Sequence, residues 1–391
     1  MRRIAITERT DWKQTADRLG FHFHTIDGEP YWDERAYYAF TLEQIERDIE
    51  TPTGELHEMA MDLVADVVRD EALLRRLAIP EAYWEWIARS WREASPHLYG
   101  RMDFAYDGNG AAKLYELNYD TPTSLYEAAF FQWLWLEEQR ERGVLPKSAD
   151  QYNLIQESLI EAFGTIAKRL PRPLYFSAVR DSLEDQGTIA YLADCAEQAG
   201  VATRKIAIED IGLSKDGRYT DLDDNVVEAM FKLYPLEFMF VEEFGAALPA
   251  SRCLLIEPPW KAVLSNKGIL PLLWERHRDH PNLLPAFFEN DAAGRPGNDA
   301  LPAGWVRKPL FSREGANIEL RTPSGETLRS DGPYADAPTI RQAFHPLPKF
   351  DGGYPLVGSW VVADRPCGLG VREDASLITQ DTSRFVPHAI I

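Results

Sequence analysis

The stretch KLYELNYDTPTSLYEAAF, residues 113–130, alternates like a β-strand. It nevertheless places Glu116 and Asn118 together on one face and then stops at a polar Asp-Thr-Pro-Thr-Ser turn. A strand face that only covered a core would carry Leu or Val at both positions. The preceding GRMDFAY reads as a partner strand, and DGNG (Asp107 to Gly110) as the tight turn between the two. Pairing Tyr106 with Ala111 sets Arg101 opposite Glu116 and Asp103 opposite Leu114, and a slip of two residues leaves the faces unchanged. Arg101, Asp103, Glu116 and Asn118 then share one face, while Met102, Phe104, Tyr115 and Leu117 occupy the other, core-facing one. Two carboxylates, one amide oxygen and no thiolate or imidazole form a hard-oxygen set that suits Mg²⁺ held jointly with phosphates better than zinc. Arg101 adds a fixed cation for phosphate oxygens. A solvated hairpin face laced by cross-strand ion pairs has the same composition.

Further cations sit where phosphate chemistry would use them. In LSNKGILPLLWE, the Ser265-Asn266 pair marks a helix start and puts Lys267 in the first turn. A lysine there opposes the helix dipole, a cost that a nearby anion offsets; an exposed lysine at a frayed end is the alternative. WVRKPLFSREGANIELRT reads as strand, polar glycine-containing loop and strand. Lys308 lies near the end of the first strand, and Ser312, Arg313 and the loop's N–H groups are available to fold over a triphosphate. An ordinary hairpin is the competing reading. No GxxxxGK[ST] motif occurs, so this would be a different phosphate cradle. YPLVGSWVVADRPCGLGVRED puts Arg372 in a second glycine-rich hairpin, either as a surface arginine or as a cation that offsets charge in phosphoryl transfer. FHFH (His22, His24) has strand spacing for two ligands but no third nearby, and reads as a half-buried strand.

The positioning elements are legible around these residues. From Thr41 to about Ser95 the pattern is helical, opening on TLEQ as a capping box. Helices follow the hairpin over about 125–142 and 151–170. LYFSAV, QGTIAYLADCAEQAG and VATRKIAI read as strand, helix and strand, with AMFKLYPLEFM adding one more strand to a small βαβ-type unit. After Pro258 and Pro259 the texture turns to short strands and glycine loops. The expected organisation is an N-terminal, mostly helical scaffold (1–95), a hairpin with its following helices (96–170), a small α/β unit (171–250) and a nucleotide-binding region (251–391).

At 391 residues, 45% hydrophobic and 12% aromatic, the chain is long and apolar enough for a large core and cannot be a disordered protein. Its apolar runs are too short to span a bilayer and the N-terminus lacks a signal-peptide apolar region, which together with three unclustered cysteines points to the cytoplasm. A net charge of −20 argues against nucleic acid as a partner and leans toward cationic small molecules.

Taken together, GRMDFAYDGNGAAKLYELNYDTPTSLYE, PPWKAVLSNKGILPLLW, RKPLFSREGANI, LPKFDGGY and GVREDASL resemble the glutathionylspermidine synthase family, specifically its C-terminal synthetase domain, over residues 32–391. The resemblance implies a mixed α/β (α+β) ATP-grasp ligase with a pre-ATP-grasp-like βαβ subdomain, and ATP and Mg²⁺ as cofactors. Its substrates would be a small-molecule carboxylate and an amine, joined through an acyl phosphate. It further implies that Asp103, Glu116 and Asn118 hold Mg²⁺ and that Arg101 and Arg372 serve the reacting phosphoryl group. Met102 and Asp103 would lie against ATP. Lys267 and Lys308 would hold its phosphates, with Arg313 and Gly315 closing over them. Gln342, Ala343, Phe344 and His345 would contact base and ribose. Thr121, Glu184 and Asp185 correspond loosely to substrate contacts, the acidic pair on the amine side; a helix N-terminal pair is the alternative for those two. Bifunctional members carry an additional amidase domain, for which 391 residues leave no room, so a stand-alone member is expected. Leu233 and Leu356 replace polar positions of glutathione-using members, which weakens the case for glutathione itself. The rival readings are a true glutathionylspermidine synthetase, a non-catalytic ATP-binding protein and a metal-binding structural protein.

Overall fold

Every residue of the strand Tyr99–Ala105 is buried, Arg101 and Asp103 included. The computed structural model, which describes residues 1–26, 28–289, 301 and 304–391, shows why. This strand runs inside a five-stranded antiparallel sheet ordered Arg384–Val386, Arg365–Asp374, Tyr354–Val362, Tyr99–Ala105, Lys113–Asn118. One face of the sheet carries Met102, Phe104, Leu114 and Leu117 into a core shared with the helix Thr51–Val67. The other face carries Arg101 and Asp103 toward a cleft. Chain polarity along the strand thus splits cleanly into core and cleft sides, as period-two alternation requires.

The hairpin differs from the sequence expectation in register. Arg101 pairs with Asn118 and Asp103 with Glu116, two residues on from the predicted pairing, and the register shifts again between Asp103 and Phe104. That bulge leaves Tyr115 as the extra residue, and it turns to the cleft rather than to the core.

Across the cleft stands a second five-stranded antiparallel sheet, ordered Ala286–Phe288, Thr339–Ala343, Trp305–Pro309, Glu319–Arg321, Thr327–Arg329. A four-stranded parallel sheet (Leu254–Ile256, Ala229–Leu233, Leu174–Ala178, Thr203–Ala207) carries the helix Leu183–Gln198. Its start is set by Ser182, whose side chain accepts the Asp185 N–H. Before the helical run, Arg2–Ala5 and Ala36–Phe40 form a sheet with His388–Ile390 from the other end of the chain. The Thr41 capping box is present as expected and starts the helical run that leads into Thr51–Val67. His22 and His24 lie in a turn, not a strand, and both face Asp17. The result is a mixed α/β fold. No helix among the described residues is long and apolar enough to cross a membrane.

Candidate active site

The cleft between the two antiparallel sheets gathers Arg101, Asp103, Glu116, Asn118 and Thr121 from the hairpin, and Lys267 from the segment before Ile269–Arg276. Lys308, Arg313 and Gly315 come from the second sheet and its loop, Gln342 and Ala343 from its Thr339–Ala343 strand, Phe344 and His345 from the segment just after that strand, and Arg372 from Arg365–Asp374. Met102 is absent from the lining: it is 0% exposed, points into the core and pairs on both strand edges. Glu184 and Asp185 do not line the cleft either; they stand beside it at a helix start. Lys267 lies before the helix rather than in its first turn. Asn266 Oδ1 accepts the Gly268 N–H at 2.8 Å, a local turn that delays the helix.

Two ion networks organise the cleft. Arg101 grips Asp103 through Nε at 2.6 Å and Nη2 at 2.9 Å, a fork that holds both carboxylate oxygens. Its Nη1 donates to the Thr123 carbonyl oxygen at 2.5 Å and its guanidinium lies 5.7 Å from the Trp360 ring centre. Asn118 Nδ2 donates to Asp103 at 3.0 Å and to Glu116 at 3.2 Å, tying the three oxygen-bearing groups together. Lys267 Nζ stands 3.2 Å from Glu116 and donates to the Ser312 carbonyl oxygen at 2.6 Å. Lys308 Nζ donates at 2.8 Å to both Tyr115 O and Gln342 Oε1, and Gln342 reaches back to Leu114 O at 3.0 Å. Burial alone would raise the Glu116 carboxyl; Lys267 and Lys308 outweigh it and hold it at about 2, so it is ionised. Burial, reinforced by Lys267, lowers Lys308 to about 8. Glu116 faces both lysines and offsets their charge only in part, so Lys308 stays depressed and the pair is suited to a further anion.

Gly358 explains how Arg101 lies across the sheet. It pairs with Asp103, and a Cβ there would sit 2.8 Å from Arg101 Cδ and 3.3 Å from Asp103 Oδ1. Gly358→Val is therefore expected to retain the fold, because what its Cβ meets is side chain rather than backbone, yet to dislodge the Arg101–Asp103 fork. Loss of activity by about 10²-fold or more with an unchanged circular dichroism spectrum is the expected result, and wild-type turnover would refute the close approach.

Glu127, in the helical segment after the hairpin, does not line the cleft; it is fully buried and both its carboxylate oxygens lack a hydrogen-bond partner among the described residues. Burial raises it, and burial with Glu127 next to it raises Glu184 to about 8, opposed by Arg372. Arg372 spends Nη2 on the carbonyl oxygens of Gln380, Asp381 and Ser383, while its Nε is buried and unpartnered. Sequence reasoning missed Glu127, Glu237 and the cleft-facing side of Tyr115, while Ser312, expected at the phosphate loop, does line the cleft. Only Tyr115, next to Glu116, carried a local signal. Leu233 is buried in the core away from the cleft, because its strand is covered on both faces of the parallel sheet, so it carries no argument against glutathione. Leu356 does line the cleft, in an apolar cluster with Leu347 and Tyr115.

The family model described as glutathionylspermidine synthase preATP-grasp matches residues 3–391. In sequence the chain is 40% identical over 395 residues to a Haemophilus influenzae protein named "Putative acid--amine ligase", with 98% of either chain covered. It is 30% identical to trypanothione synthetase of Crithidia fasciculata, over 85% of this chain and 53% of that one. With the bifunctional glutathionylspermidine synthetase/amidase of Escherichia coli it shares 27% identity over 97% of this chain and 63% of that one. The chain thus spans about half to two thirds of the length of these last two. In structure it resembles a glutathione synthetase-like effector from Globodera pallida, with a TM-score of 0.57 and 11% identity over 97% and 96% of the two chains, a likeness of fold.

Proposed function

Because the chain belongs to the glutathionylspermidine synthase family, we propose that it is an ATP-dependent carboxylate–amine ligase of ATP-grasp type. The observation that carries this reading is the meeting, in one cleft, of an oxygen-donor set on one sheet and two buried lysines reaching it from outside that sheet. Asp103, Glu116 and Asn118 suit Mg²⁺: they offer oxygen only, and two carboxylates with one amide leave the remaining positions to phosphates and water. Among the described residues no three His, Cys, Asp or Glu side chains converge as a metal cage, in keeping with a metal shared with its nucleotide. Bound Mg²⁺ would supply charge neutralisation on the phosphates.

The chain's own residues then divide the work. Lys267 and Lys308 exchange their carbonyl and carboxylate partners for phosphate oxygens, and the 311–317 loop with Arg313 covers them. Gln342 to His345 face the base, beside the apolar wall of Tyr115, Leu347 and Leu356. A substrate carboxylate oxygen attacks the γ-phosphorus, the bond to the β-phosphate oxygen breaks and ADP leaves. Arg101 and Arg372 offset charge on the transferring group. A neutral amine nitrogen then attacks the acyl phosphate carbon, the carbon–oxygen bond to phosphate breaks, and the departing inorganic phosphate takes up the proton that the nitrogen gives up, leaving an amide. The acidic side chains beside the cleft, Glu127, Glu184 and Asp185, favour a cationic amine, with Thr121 on the substrate path.

Mg·ATP at about 100 times its Kd is expected to stabilise the protein by about 2.7 kcal/mol, read as an upward shift in Tm, and ATP without Mg²⁺ by much less. A screen of acid and amine pairs, glutathione with spermidine among them, is expected to release ADP only when both partners are present. No thermal shift with saturating Mg·ATP would falsify the proposal.

A further inference from the structure

Asp120 and Lys232 take no part in the chemistry above and do not line the cleft, yet their side chains are only 1% and 0% exposed. The Lys232 ammonium donates to Asp120 Oδ1 and, at 3.1 Å, to the Tyr234 carbonyl oxygen. The second carboxylate oxygen accepts the Leu236 N–H at 2.8 Å. A buried ion pair contributes little net stability compared with apolar residues of the same volume, so its presence calls for another reason.

The neighbours supply one. Thr121 follows Asp120 and Glu237 follows Leu236, and both line the cleft. Arg313, arriving from the loop of the opposite sheet, donates to the Thr121 carbonyl oxygen at 3.0 Å and stands 3.7 Å from the Glu237 carboxylate. The two halves of this seat come from segments 116 residues apart in sequence, and the Asp120–Lys232–Leu236 bonds are what hold them in register.

We propose that Asp120 and Lys232 form a positioning pair that builds the seat on which Arg313 docks, and so holds the 311–317 loop closed against the parallel sheet. That the docked loop covers a nucleotide rests on the function proposed above; the seat itself does not.

Trypsin reads the seat directly, because the Arg313–Glu314 bond enters the protease only when Arg313 leaves its partners, and Lys308 is shielded from cleavage by Pro309. Lys232→Met keeps most of the length and removes the charge. It is expected to raise the rate of cleavage at Arg313 by about tenfold or more, while cleavage after the exposed Arg92 and Arg180 stays at the wild-type rate. Asp120→Asn, which preserves volume, is expected to act in the same direction and decides the matter alone if Lys232→Met does not fold. The paired Asp120→Asn/Lys232→Gln variant restores a neutral hydrogen bond and is expected to return protection toward wild type. Unchanged cleavage at Arg313 in the folded single variants overturns the proposal. So does a parallel rise at all three sites, which marks general loosening. Selective cleavage at Arg313 with no protection by Mg·ATP upholds the seat and counts against the ligase reading instead.

Discussion

Asp103→Asn is expected to lower ATP-dependent amide formation by about 10³-fold or more while leaving Mg·ATP affinity within about tenfold of wild type. The substitution preserves volume, so the buried strand has no cavity to collapse. What it changes is the face offered to Arg101. Asp103 accepts from Arg101 Nε and Nη2 and from Asn118 Nδ2. An asparagine has one acceptor oxygen, and its amide N–H groups would meet guanidinium N–H groups, donor against donor. Arg101 loses its fixed direction in the same step that removes a negative oxygen from the Mg²⁺ set. Each is a group whose loss from a charge-stabilising site costs about 10²–10³ in rate. Nucleotide affinity is buffered because Lys267, Lys308 and the 311–317 loop are untouched. Steady-state kinetics beside calorimetric Mg·ATP titration separates the two effects. Equal losses in rate and affinity would mean that Asp103 serves binding, and full activity would remove it from the metal set altogether.

The part of this site that a reader of the sequence can find is the part whose chemistry contradicts its local structure. Glu116 and Asn118 stand out because a two-residue period puts oxygen where a buried strand wants carbon. Register is a different matter. The turn shifts the pairing by one residue, since Phe104 faces Leu114 rather than Lys113, and the bulge at Asp103/Phe104 adds the second; nothing in the alternation marks Tyr115 as the bulged residue that turns to the cleft. Ser-Asn resembles a helix cap, which points to a helical Lys267, but the Asn266 side chain closes a turn onto Gly268 instead and the helix starts at Ile269. The seat for Arg313 is out of reach of any local pattern. Glu237 follows a strand that is covered on both faces, and only the crossing of three sheets brings it to a loop some way along the chain. Leu233 fails for the same reason: in a parallel sheet with both faces covered, alternation no longer says which side a residue faces. Glu127 is hidden in a helical run, where a single carboxylate looks like surface until its burial is known.

The remaining large effect belongs to Lys308, whose affinity for phosphate should be titratable. In the nucleotide-free protein burial has pushed its ammonium down to about 8, with Lys267 reinforcing the shift and Glu116 and Asp103 opposing it. A phosphate anion between the two lysines reverses the balance, because it favours the charged form that burial penalises. The bound state therefore holds its proton to higher pH than the free state, and binding takes up a proton wherever free Lys308 is neutral. The sign follows. Below pH 8 affinity is flat, and above it affinity falls by about tenfold per pH unit until the bound-state value is reached, so about tenfold is lost between pH 7 and pH 9. The triphosphate is fully ionised through that interval and Glu116, held at about 2, does not titrate in it. Lys308→Met is expected to bind Mg·ATP about 10- to 150-fold more weakly at pH 7, the worth of a charge-assisted hydrogen bond of about 1.5–3 kcal/mol, and to lose the pH dependence with it. Calorimetric titration of both proteins at pH 7, 8 and 9 is the check. A wild-type affinity that does not change with pH, or a variant that keeps the slope, would assign the phosphate contact to another residue.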